Sequence, residues 1–87
     1  MNGVVKSRLY GALGPYGFIK GEDGIDRFFL PSMLAGMTEV GREERNAEFE
    51  KTMEIGTRVT FTHEMHTRGA RAVEVAVAPT AQVDLAD

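Results

Sequence analysis

Ten glycines and three prolines cut this 87-residue chain into short runs, and their spacing limits what the chain can become. Up to Pro31 a glycine or proline falls every few residues, which leaves no run long enough for a stable helix. Between the breaks lie β-branched, aromatic and alternating residues, the composition of short strands. "GVVKSRLY" reads as a first strand, "YGFIK" as a second and "DRFFLPS" as a third that Pro31 ends or bends. "GALGP" and "GEDG" are the turns between them. Further on, "RVTFTHEM" sets Val59, Phe61, His63 and Met65 against Thr60, Thr62, Glu64 and His66, a fourth strand. After the hairpin "HTRGAR", "AVEVAV" places Val73, Val75 and Val77 on one face and Glu74 on the other. Five strands in so short a chain imply a small closed or nearly closed barrel, which removes exposed edges.

Only the segment from 35 to 56 breaks this rhythm. It reads as an extended, mobile loop between strands three and four, carrying a short helix in which Phe49 and Met53, four apart, form one apolar stripe. A chain of this length makes one domain, expected over 1–78, with 79–87 as a flexible tail. The chain has no cysteine, so a disulfide framework and a thiolate metal site are both ruled out. Neither a signal-peptide pattern nor a run of membrane-spanning length occurs, and the expected location is the cytoplasm, with no membrane partner.

The net charge of −3 argues against a general polyanion binder, yet the charge is unevenly spread. Six glutamates lie between 39 and 54, whereas both flanking segments are slightly basic. Catalytic constellations are lacking: the sequence has no Ser–His–Asp or Cys–His pattern and no carboxylate pair with partners, so no enzyme is expected. His63 and His66 are three apart, which on a strand sends them to opposite faces, so no metal site and no cofactor are expected. The glycines at 11, 14 and 17 lead into a strand without a helix N-terminus, unlike a phosphate-cradling loop.

The informative stretch is "GPYGFIKGEDG". Alternation puts Tyr16, Phe18 and Lys20 on one face and leaves Gly17 and Ile19 on the other. Such aromatics either pack beneath the long loop or form a surface for a flat ligand. Five segments together resemble a cold-shock domain. "GVVK" is similar to that family's opening strand, "YGFI" to its first aromatic motif and "DRFFLPS" to its second. "EKTMEIGTRVTF" is similar to the stretch that leads into strand four, and "TRGARAVEV" to the last hairpin. The resemblance spans about Gly3 to Val77 and implies a five-stranded antiparallel oligonucleotide-binding barrel, the OB-fold.

It further implies low-specificity binding of single-stranded RNA or DNA by base stacking, in an RNA chaperone or a regulator of transcription or translation. The residues carried over are Tyr16, Phe18 and Phe28 as stacking rings, with Lys6, Arg8, Lys20 and Arg68 around them. Two departures stand out: Ser7 falls where the family has a tryptophan, and Leu30 where it has a histidine. Arg8, sharing a strand face with Lys6, and Tyr10, from a longer loop, are the expected substitutes for the missing ring. Arg27 is expected to pair with Asp26 or Glu22 at a strand end. The rival expectation is a protein-interaction module that has lost nucleic-acid binding and docks a partner through the 35–56 segment, as a monomer or weak dimer.

Overall fold

In the computed structural model, which describes residues 1–79, the strands form one sheet that closes in a ring. β1 (Asn2–Gly11), β2 (Gly14–Gly21) and β3 (Asp26–Phe29) follow one another along the chain. A short 3-10 turn (Pro31–Met33) and α1 (Arg42–Thr52) come next, then β4 (Arg58–His66) and β5 (Gly69–Val77). Around the ring the order is β1-β2-β3-β5-β4. The expected tail lies, from residue 80 onward, outside the described residues. No helix among the described residues is long and apolar enough to cross a membrane.

The all-antiparallel expectation is corrected at one seam. Four seams are antiparallel, but β3 meets β5 in parallel, through the single register pair Phe28 and Arg71. The cause is arithmetic: strands that alternate in direction around a ring of five must leave one neighbouring pair running the same way. Because that seam is so short, the ring is not a regular barrel.

Two bulges reset the strand faces. On β1, Val5 pairs with Ile19 and Ser7 with Phe18, so Lys6 is an extra residue. Strict alternation would put Lys6 and Arg8 together; instead Arg8 pairs with Gly17, with the parity opposite to Phe18. On β5, three residues span the interval that two cover on β4, where Thr60 pairs with Ala76 and Thr62 with Val73. Glu74 takes the strain, with φ at +52°, a left-handed conformation unusual for a residue with a side chain. The expected valine face therefore splits: Ala72 and Val75 are buried, whereas Val77 is half exposed. The bulge also turns Val75 toward the segment after β3, where its carbonyl accepts from Ala35 N–H at 2.8 Å.

Inside the ring lie Val5, Ile19, Phe29, Val59, Phe61, Ala72 and Val75. A ring of short strands leaves an open end, and α1 closes it. Phe49 and Met53, the stripe read from the sequence, are both fully buried there, and the Phe49 ring sits 5.1 Å from that of Phe29. The helix thus acts as a structural plug for the ring. Truncating a buried phenylalanine to alanine costs about 3–5 kcal/mol, so Phe49 anchors the whole 35–56 segment. At the helix C-terminal end Arg8 Nη1 donates to the Glu50 carbonyl at 2.9 Å, and the Tyr10 hydroxyl donates to Glu50 Oε1 at 2.8 Å.

Arg27 is the one charged side chain among the buried described residues, 1% exposed. Its expected partners, Asp26 and Glu22, are replaced by Asp23. Both terminal nitrogens donate to the Asp23 carboxylate, at 3.0 and 2.7 Å, and Nε donates to His63 Nδ1 at 2.7 Å. The guanidinium also lies 5.1 Å from the centre of the Phe61 ring. A buried charge survives only when its donors are met, and here the turn between β2 and β3 curls back to meet them. This bidentate pairing holds the Asp23 carboxyl well below the usual carboxylate range.

Candidate nucleic-acid interface

The three rings expected to act together are in mutual contact on the outer face of β2 and β3. Tyr16 lies 6.3 Å from Phe18 and 5.8 Å from Phe28, and Phe18 lies 5.9 Å from Phe28, all centre to centre. Each is half-buried. The N-terminal half of α1 flanks Tyr16 and Phe28 across a groove, and each ring is left partly accessible. Gly17 shows why a glycine separates two aromatics. A side-chain carbon at Gly17 would come within 2.7 Å of the Ser7 carbonyl oxygen and 2.9 Å of the Phe29 ring. The inner face is full at that point, so the bulk of "YGF" goes outward.

The register extends this surface across the ring. Ser7, Phe18, Phe28, Arg71 and Glu64 stand in one row over β1, β2, β3, β5 and β4. Ser7 thus lies directly beside Phe18, where a larger side chain would lengthen the platform. Neither expected substitute reaches it, since Arg8 and Tyr10 are both held by Glu50 on α1. The hydrogen bond from Tyr10 to that carboxylate also raises its hydroxyl above the ordinary pKa.

The cations around the rings fall into two groups. Lys6 is neutralised by Asp26 at 2.6 Å, and Arg71 by Glu64. Lys20 and Arg68 are exposed and have no ion pair among the described residues. Arg68 sits at the β4–β5 turn, beside a groove of about 640 Å³ whose walls include Phe18, Phe28, His66 and Arg71. A second groove of about 490 Å³ opens on the other side, against Tyr16, Phe28 and Leu30. Its far wall is the N-terminal half of α1: Arg42, Arg45 and Asn46. Sequence reasoning missed these three. The available signal was their position seven, four and three residues before Phe49, on the same helix face.

His63 faces Arg27 while His66 lies at the hairpin, and no group of three or more metal-ligating side chains occurs among the described residues. The chain matches no family model and no curated protein.

Proposed function

We propose that this protein binds single-stranded RNA or DNA with low sequence specificity, as a non-enzymatic, cold-shock-like OB-fold module of the cytoplasm. By this reading it acts as an RNA chaperone or as a regulator of transcription or translation. The observation that carries the reading is the contacting trio of Tyr16, Phe18 and Phe28, half-buried on one sheet face with Lys20 and Arg68 at its margins. Every base offers a π-face, so such a platform captures unpaired bases without reading their edges. A duplex keeps its bases stacked on one another and offers the rings nothing. The five sequence segments similar to the cold-shock family, and the ring of five strands that presents the rings, support the same conclusion.

Fluorescence anisotropy with labelled oligo-dT and oligo-U tests it. Saturable single-strand binding is expected, weakening as salt rises and absent for duplex. Phe18→Ala, a change at a half-buried position outside the core cluster, should weaken binding by the roughly 1–3 kcal/mol of one base stack. A folded Phe18→Ala protein that binds as tightly as its parent would defeat the stacking mechanism.

The protein-interaction alternative draws on the outer side of α1, where Glu43, Glu44 and Glu50 are exposed. A partner with a basic surface fits that side, and Glu43→Lys with Glu44→Lys would abolish its docking while leaving oligonucleotide affinity intact or improved.

A further inference from the structure

The second groove gives α1 a role beyond plugging the ring. The face of α1 that carries Phe49 and Met53 into the core carries Arg42, Arg45 and Asn46 one and two turns earlier. The helix is therefore apolar and buried at one end of this stripe and basic at the other. Of its four glutamates, Glu43, Glu44 and Glu50 are exposed, and the half-buried Glu48 lies near Met53, away from the Arg42 end. Phe28 belongs to both grooves, so the surface runs unbroken from Arg68 at the hairpin, over the rings, to Arg42 and Arg45.

Both arginines are held in place. Arg42 Nη2 donates to the Leu13 carbonyl at 2.8 Å, and Arg45 Nη1 donates to the Val40 carbonyl at 2.7 Å. A guanidinium has five N–H donors, so each arginine, fixed by one carbonyl, keeps donors for a phosphate.

We propose that Arg42, Arg45 and Asn46 form a second backbone-binding station, which takes the phosphates of the single strand just beyond the bases stacked on Tyr16, Phe18 and Phe28. This rests on the single-strand reading above and adds to it a direction of travel, across the sheet from the β4–β5 turn to the helix. A strand long enough to cover only the rings gains nothing from the helix, and a longer one does.

The test compares labelled oligo-dT of about four and about eight nucleotides, lengths within the range one such fold covers. The Arg42→Gln, Arg45→Gln double variant should bind the shorter strand like its parent and the longer strand several-fold more weakly. Its salt dependence on the longer strand should flatten by about 0.7 in log–log slope for each phosphate it no longer neutralises. Arg42→Lys with Arg45→Lys keeps the charges and should keep the parent's slope, which a purely structural role for the arginines would not predict. Equal losses on both strands, or none on the longer, overturn the proposal. Amide NMR shifts of the unmodified protein test it without any variant: Arg45 and Asn46 should move with the longer strand and stay still with the shorter. Movement of neither counts against the station while leaving the aromatic platform standing. A parent that binds neither strand overturns both.

Discussion

Asp23 and Arg27 set the pH behaviour of the fold. The Asp23 carboxyl loses its proton far more readily in the folded chain than its ordinary value of 3.8 implies, because two guanidinium N–H groups and the Ile25 N–H hold the ionised form. A depressed folded pKa stabilises the protein in full above the unfolded value, and the contribution disappears as pH falls toward the folded one. Asp23→Asn should therefore lower the melting temperature at neutral pH, and the gap to the parent should narrow steadily below about pH 4. A gap that stays constant down to acid pH would mean that the pairing adds no pH-linked stability. The sequence revealed that Arg27 has a structural place on β3, but not its partner. No strand pattern singles out Asp23 from Glu22 and Asp26; the turn through Gly24, at φ +82°, is what brings Asp23 back over the guanidinium. Tyr16 and Phe18 were legible because simple alternation holds unbroken along β2, and Phe28 joins them through the unshifted register with β3.

At the scale of elements, alternation fails wherever a strand carries a bulge, and β5 shows the energetic consequence. Glu74 reads in the sequence as an ordinary exposed strand position, at which a valine would improve strand propensity. Its left-handed φ reverses that expectation. Glu74→Gly should be neutral or stabilising by up to about 1 kcal/mol, since relief of strain outweighs the added chain entropy. Glu74→Val should destabilise by more than about 1 kcal/mol, because a β-branched residue fits that conformation worst. Urea denaturation of both variants decides between these, and a Glu74→Val protein as stable as its parent would show that the bulge stores no strain. The helix was half legible. Phe49 and Met53 stood out as a stripe, but the charges were summed along the segment, and six glutamates hid the arginines. Charge on a helix is sorted by angle: around α1 Arg42 and Arg45 share the Phe49 side, while Lys51 lies among the acids near Glu44.

Across the whole molecule, an overall charge of −3 means that long-range attraction cannot account for binding a polyanion. Under the proposed single-strand reading, stacking supplies the affinity, supplemented by a few local cations. Two of those near the rings are already spent on Asp26 and Glu64. Salt dependence should accordingly be shallow, about −0.7 in log–log slope for each phosphate that Lys20, Arg68 and the helix arginines engage. Asp26→Asn releases Lys6 from an exposed ion pair of little stabilising value, and should tighten binding and steepen the slope by the amount of about one further phosphate. An unchanged slope would place Lys6 off the strand's path. The sequence conveyed five strands and their order along the chain, but the direction of the closing seam follows from the ring and from no local pattern. That seam gives Phe28 a double duty. The ring that a base would cover belongs to the strand that latches the circle shut, through one register pair to Arg71. A strand lying across Phe28 would act as a clasp over the weakest joint, so amides on β3 and the facing half of β5 should become slower to exchange when it is bound.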